Sequence, residues 1–530
     1  MAGVRADLRY GTIPKMVQIN GQRFAEHDAV IDGPIRLGYG ALADEMMAVA
    51  RSLIASGVGP GDRVALWAPN GASWITAALG ALAAGAWLVP LNTRFTATEA
   101  AYVLDKADIG LLFAADDFLG TDRLAELRSH APDLRALGQV VTVPPPGTPG
   151  GPAWEAFLAR GQVVALETAQ ARLDAIGPDD TSDIMFTSGT TGSPKGVLLR
   201  HGTAMRLYEA MNDGLCLHEG DRYLVVLPFF HCFGYKAGWM LSLMVGGTTV
   251  PVPVFDAREI MRLIEEHRIT HMPGAPTMFW AILDHPDRAE FDLSSLRVVL
   301  IGAASIPVEL VQRLGDELDL DWVLSGYGLT ENHALCSVTA PDDPPEVAAT
   351  TVGRVVPDIE LRVVDAAGQD VAPGQPGELL FRGYSVMSGY YEEPEATASA
   401  VVDGWLHTGD VGLLDEAANL HITDRLKDMF IMGGFNVAPA EVEKALMAMD
   451  GVSQVAVVGI PDPYFGEVGA AFVIPAPGAS ITSQEVIDFA GRALANYKVP
   501  RRVEIVDQLP LNATGKVMKG DLRRSLGGAG

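Results

Sequence analysis

The chain has 530 residues, of which 48% are hydrophobic, enough for about three to four average domains with large cores, so wholesale disorder is excluded. Its 39 basic residues face 66 acidic ones, a formal net charge of -27, which would repel a nucleic acid backbone or an anionic membrane surface. Anionic substrates must then be met by local cations and backbone NH groups. The N-terminus carries charges where a signal peptide would need an apolar core, so no export is expected. Cys216, Cys232 and Cys336 are odd in number and lack C-x-x-C spacing, which supports neither a disulfide framework nor a cysteine zinc site and points to the cytoplasm. The longest uncharged stretch, Val64 to Thr93, is cut by Pro69, Gly71, Gly80, Gly85 and Pro90 into pieces shorter than the ~20 residues of a membrane span. A buried helix followed by a strand is expected there.

In chain order, short β-branched runs alternate with helix-length segments: Arg63 to Trp67, Trp87 to Leu91, Gly110 to Ala114, Ile184 to Thr187, Tyr223 to Pro228, Arg297 to Ile301 and Trp322 to Leu324. Such alternation predicts layered α/β structure with parallel strands. The Pro/Gly cluster Pro144 to Pro152 reads as a surface connector. From Gly353 to Asp424 the texture becomes short strands with turns (Glu360 to Val364, Gly377 to Phe381, Trp405 to Leu414), a small β-rich subdomain. Beyond it, helical patterns at 439–449 and 482–495 and extended ones at 452–459, 470–475 and 502–506 predict an α+β unit of domain size.

The segment Thr187-Ser-Gly-Thr-Thr-Gly-Ser-Pro-Lys-Gly196 follows the apolar Ile184-Met-Phe. Glycines let a backbone turn its NH groups inward, hydroxyls add donors and Lys195 adds a cation, which is what a polyphosphate requires. A plain polar hairpin is the bland alternative. It is no Walker A loop, because that needs G-K-[ST] and here Pro194-Lys195-Gly196 stands.

With Tyr327-Gly-Leu-Thr-Glu331, Trp405-Leu-His-Thr-Gly-Asp410, Asp424-Arg-Leu-Lys-Asp428, Gly433-Gly434 and Pro510-Leu-Asn-Ala-Thr-Gly-Lys516 in the same order, the chain resembles the adenylate-forming superfamily of acyl- and aryl-CoA synthetases, luciferases and peptide synthetase adenylation domains. The resemblance covers nearly the whole chain. It implies a large N-terminal domain over 1–424 (β-rich subdomain about 353–424), a hinge at 425–428 and a mobile small domain over 429–530. It also implies use of ATP, Mg2+ and coenzyme A, with a small carboxylic acid as partner and a homodimer as a compatible assembly.

Residue by residue, the resemblance makes Lys516 the lysine that bridges carboxylate and α-phosphate, two anions that otherwise repel. Thr187, Ser188, Gly189, Thr190, Thr191, Gly192 and Lys195 would hold phosphates, Thr330 would hydrogen-bond them, and Glu331 would bind Mg2+. Tyr327 would pack on adenine opposite Gly302, Ala303 and Ala304. Asp410 and Arg425 would engage the ribose. Lys427 falls at the hinge, and Gly433 and Gly434 would line a tunnel for the pantetheine arm.

For the acid, Leu227-Pro-Phe-Phe-His-Cys-Phe-Gly234 has no carboxylate to hold an amino group, so an amino acid is disfavoured. His231 matches the histidine beside the carboxylate in CoA synthetases. A Cys232–His231 nucleophilic dyad is rejected, since neighbours in an extended segment face opposite ways. Expected lining residues are Phe230, His231, Phe233, Gly234, Tyr235, Gly274 to Met278, Gly302 to Ala304 and Asn332 to Ala334, a roomy pocket. The runs Pro228 to Gly238, Phe291 to Arg297 and Asp424 to Val437 are similar to the actinobacterial ligases of sterol catabolism, which act on a hexahydroindanone propanoate. Medium- or long-chain fatty acids and aryl acids are the alternatives within the mechanism. A luciferase-like oxygenase would keep the same lysines. A non-catalytic sensor would need neither Lys516 nor Glu331. Hydride transfer could cite only Gly38-Tyr-Gly-Ala-Leu-Ala43, which lacks a clear preceding strand and reads as a helix start, and no G-x-S-x-G elbow supports a serine hydrolase.

Overall fold

The computed structural model describes residues 5–118, 120–187, 194–302, 306–425, 428–432, 435–462, 465–494, 496–512 and 516–526, apart from the side chains of 424, 425, 431, 435 and 436. The alternating runs become two large sheets. In one, the strands Val140–Thr142, Leu111–Ala114, Arg63–Trp67, Trp87–Pro90 and Thr181–Thr187 lie side by side in parallel, and Lys195–Arg200 then Gly389–Tyr390 add antiparallel at the edge. In the other, Trp322–Tyr327, Val298–Ile301, His271–Gly274, Arg222–Val225, Thr248–Pro251 and Asp28–Asp32 are parallel, with antiparallel strands at both ends. Strands buried on both faces account for the continuous apolar runs in the sequence.

The expected buried helix is Ala72–Ala83, every residue of it inside except the half-buried Ser73, followed by the strand Trp87–Pro90. Trp74 at its start meets Phe229, Tyr235 and Trp239 edge-on with ring centroids 5.4, 5.9 and 6.0 Å away, an aromatic knot between the sheets. One expectation needs correction: a strand, Ile35–Gly38, does precede the Tyr39–Ala55 helix at the Gly38-Tyr-Gly segment. It is an antiparallel edge strand paired to Asp28–Asp32, so no parallel β-α-β unit forms and hydride transfer gains nothing.

The β-rich part is a five-stranded antiparallel sheet of Ile359–Val364, Gly377–Gly383, Trp405–Leu414, Val401–Val402 and Leu420–Arg425. The C-terminal unit builds its own five-stranded sheet around Val452–Asp462 and Gly466–Pro475, with the helices Pro439–Met447 and Ser483–Ala493. Among the described residues, no hydrophobic cluster has members on both sides of residues 423–429. Each side keeps its own core. No described helix is long and apolar enough to cross a membrane.

Candidate active site

The Thr181–Thr187 strand runs outward from the core and Lys195–Arg200 returns beside it, so Thr187 and Lys195 are direct cross-strand partners at the mouth of the glycine-rich segment. Ser188, Gly189, Thr190, Thr191 and Gly192 lie outside the described residues. Lys195 Nζ stands 5.0 Å over the ring of Tyr390, and the Tyr390 hydroxyl donates to Glu331 Oε1 at 2.9 Å. Burial first, and then the Glu331 charge, push the Tyr390 phenol up, so it stays a donor. One aromatic residue thus joins the loop lysine to the motif carboxylate. Sequence reasoning missed it, because Gly389-Tyr-Tyr391 carries no period or spacing that separates it from an ordinary strand end.

Glu331 and Thr330 sit in a single 3-10 turn after the Trp322–Tyr327 strand, and the Met387 NH pins the Glu331 carbonyl at 2.8 Å. At the head of that motif the Tyr327 hydroxyl donates to Asp410 Oδ2 at 2.6 Å. Asp410 is buried, its own NH donates to Thr408 Oγ1 at 3.0 Å, and its cross-strand partner is Arg425. The two residues expected at the ribose therefore lie opposite each other on neighbouring strands. Gly302 ends the Val298–Ile301 strand, where a Cβ would come within 3.0 Å of Phe233 Cε1. Ala303, Ala304, Lys427, Gly433 and Gly434 lie outside the described residues. Among the described residues, no three His, Cys, Asp or Glu side chains cluster as a metal cage.

Two residues after His231, Phe233 opens a π-helical turn, Phe233–Met240, kinked at Gly238. Gly234 is required there, since a Cβ would lie 2.3 Å from the Pro228 carbonyl oxygen. The Phe233 NH donates to His231 Nδ1 at 3.3 Å. Burial, and secondly the Lys516 ammonium, pull the His231 pKa down to about 4, so the imidazole is neutral at pH 7 and Lys516 stands within electrostatic reach of it. Lys516 is itself fixed in a tight return: its NH donates to Asn512 Oδ1 and its carbonyl accepts from the Asn512 NH, both at 2.8 Å. Lys516, expected as the bridging lysine, and His231, expected beside the acid, are thus close enough for one to act on the charge of the other.

Three expectations are corrected. Tyr235 stacks on Trp239 at 4.8 Å in the core and lines nothing. Asn332 and His333 are fully buried, the former accepting from the Leu329 NH and the latter bonding the Ser385 carbonyl, so of that trio only Ala334 is partly exposed. The Cys232–His231 dyad fails, but not because the segment is extended: Cys232 has helical dihedrals, is wholly buried, and burial pushes its thiol up to about 12.

The AMP-binding enzyme family matches residues 17–391, and the AMP-binding enzyme C-terminal domain matches 441–516, ending on Lys516. The chain belongs to the AMP-binding enzymes. Among relatives of this family it is 47% identical over 517 residues to the 3-[(3aS,4S,7aS)-7a-methyl-1,5-dioxo-octahydro-1H-inden-4-yl]propanoyl:CoA ligase of Rhodococcus jostii (strain RHA1), covering 97% of this chain and 98% of that one. It is 48% identical to the ligase of the same name from Mycobacterium tuberculosis (strain ATCC 25618 / H37Rv), covering 98% and 99%. Among solved AMP-binding enzymes, ATP-bound MatB from Rhodopseudomonas palustris superposes with a TM-score of 0.85 at 28% identity, covering 97% of this chain and 99% of that one. The anthranilate CoA ligase AuaEII in complex with anthranoyl-AMP gives 0.86 at 25% identity, covering 97% of each.

Proposed function

We propose that this acyl-CoA synthetase joins a bulky bicyclic propanoate, of the hexahydroindanone type, to coenzyme A through an acyl-adenylate. Supporting the choice of acid is the 47–48% identity, over almost the entire chain, to two ligases named for such an acid.

In the first half-reaction a carboxylate oxygen attacks the α-phosphorus of ATP, the bond to the bridging oxygen breaks and pyrophosphate leaves. Lys195 and the hydroxyls around it would hold the β- and γ-phosphates, and Thr330 would donate to them. Glu331 fits a Mg2+ ligand: Tyr390 occupies one lone pair of Oε1, and the carboxylate has others to offer. A hard cation accepts one carboxylate plus phosphate oxygens and water, and it would neutralise charge gathering on the departing pyrophosphate. Asp410, steadied by Tyr327, would accept from the ribose hydroxyls beside Arg425, and Lys516 would draw carboxylate and α-phosphate together next to the neutral His231. In the second half-reaction the CoA thiolate attacks the acyl carbon and AMP leaves. Separate cores on either side of residues 423–429 support a hinge at 425–428, with Lys427 in it, that would carry Lys516 out and bring Gly433 and Gly434 to the pantetheine.

The test is a panel of acids (the bicyclic propanoate, decanoate, palmitate and coumarate) with MgATP and CoA, scored for AMP and acyl-CoA by mass spectrometry. Preferred turnover of the bicyclic acid is expected. Preference for a straight or aryl acid would discard the acid while keeping the mechanism, and no AMP from any acid would favour a sensor.

A further inference from the structure

Behind the site lies a charge pair that the mechanism above does not use. Lys236 Nζ is 3.1 Å from Asp183 Oδ1, and both side chains are 0% exposed. Asp183 Oδ2 accepts from the Ser182 hydroxyl, while neither Nζ nor Oδ1 makes a well-aligned hydrogen bond to any described residue. Burying two such charges costs several kcal/mol per ion, and a matched apolar pair is often as stable or more so, so the pair is a poor device for stability alone.

Its placement suggests another use. Asp183 is on the Thr181–Thr187 strand, held between Leu88 and Leu199 on its neighbours, and that strand delivers Thr187 to the phosphate side. Lys236 is on the Phe233–Met240 π-helical turn that begins beside His231 and carries Phe233 to the acid side. Cys232, the residue before that turn, is wholly buried and near enough to Lys236, Asp183 and Glu331 for all three charges to act on its thiol. Tyr208, within reach of Asp183, donates to the His333 carbonyl at 2.7 Å at the end of the Thr330–Asn332 turn. Strand, π-helical turn and Glu331 motif therefore converge on one buried pair.

We propose that Lys236, paired with Asp183, is a positioning residue that transmits nucleotide binding at the strand end to the acid-binding turn. The turn is π-wound and interrupted at Gly238, whose dihedrals are not helical, a departure from regular helix of the kind that gathers at functional sites. The ionic tie fixes it relative to the strand, so that ATP, by ordering the strand end, also orders His231 and Phe233. The proposal rests on ATP binding at the glycine-rich loop, as read above.

Amide hydrogen exchange with and without MgATP tests it, using the full chain and no acid. In the wild type, ATP should slow exchange both in 181–200 and in 231–240, the latter by about tenfold, a coupling of ordinary size. Lys236→Met should keep the first effect and lose the second. Lys236→Arg, which retains the charge, should keep both. The double variant Asp183→Asn/Lys236→Met leaves no lone buried charge, so it should unfold at a higher temperature than Lys236→Met yet still lack ATP-dependent protection of 231–240. Its KM for the acid should then no longer depend on ATP concentration. Protection of 231–240 by ATP in the double variant as strong as in the wild type, or its absence in the wild type while 181–200 is protected, overturns the proposal. Absence of any ATP effect on 181–200 in the wild type overturns the nucleotide reading on which it stands.

Discussion

The Tyr390 hydroxyl is the smallest feature on which the site depends. It points Glu331 while its ring supports Lys195, so the two functions can be separated by substitution. Tyr390→Phe keeps the ring and frees the carboxylate; we expect about a tenfold rise in the Mg2+ concentration needed for half-maximal adenylation, with little change in the KM for the acid, from the loss of one hydrogen bond to a charged group. An unchanged Mg2+ requirement would contradict the positioning role. Gly302→Val should place its side chain against Phe233 and favour small acids over bulky ones, read as a ratio of kcat/KM values. At this scale the ordered motifs singled out Lys195, Glu331, Asp410 and Lys516, and the structure shows the contacts of each, Lys195 over Tyr390, Tyr390 on Glu331, Tyr327 on Asp410 and Asn512 on Lys516, while their roles belong to the proposed function. The sequence was silent on Tyr390, Asp183 and Lys236, because each depends on a partner far away in the chain that only the packed sheets bring near.

Among the elements, strands were legible where the sequence carries an unbroken apolar run, as at Arg63–Trp67, and Trp405–Leu414 matches its expected bounds without being apolar throughout, whereas Thr181–Thr187 begins before the expected Ile184 and Arg222–Val225 ends before the expected Pro228. The Phe233–Met240 turn was not legible. Its aromatic run fits a strand, a helix or a loop equally well, and only the knot of Trp74, Phe229 and Trp239 around it selects the wide π-helical winding. This is also why Tyr235, Asn332 and His333 were misplaced in the acid pocket: composition cannot say which side of a turn faces the core. The close approach at Gly234 makes the element fragile. Gly234→Ala would drive a Cβ into the Leu227 and Pro228 carbonyl oxygens, and we expect about 2 kcal/mol or more of lost stability by chemical denaturation together with a raised KM for the acid. A variant as stable as the wild type would show that the turn can shift to make room.

For the whole molecule, two predictions separate chemistry from folding. Lys516→Ala should abolish adenylate formation yet spare thioester formation from a supplied acyl-adenylate, and equal loss in both half-reactions would contradict the assigned role. Stability should respond to acid through buried histidines. Burial, and to a lesser degree nearby cations, lowers His201 to about 3 and His231 to about 4 from an ordinary value of 6.5, and His271, also lowered chiefly by burial, to about 4. The unfolded chain binds protons that these folded sites refuse, so their contribution is fully present above pH 6.5 and is lost as pH falls toward 4. The unfolding midpoint should decline over that window, less steeply in His201→Asn, while the adenylation rate shows no His231 step between pH 6 and 8. A flat midpoint would mean that these rings are protonated in the fold.

The divided cores have a last consequence. Because no described apolar cluster bridges residues 423–429, turning one unit against the other would strip no oil from oil; only surface contacts would be traded. A molecule built this way can run two incompatible chemistries in a single room by taking turns. If the small unit pivots as proposed, the labile mixed anhydride need not travel between stations: the walls would change around it, and its lifetime in water would be set by how quickly that unit turns.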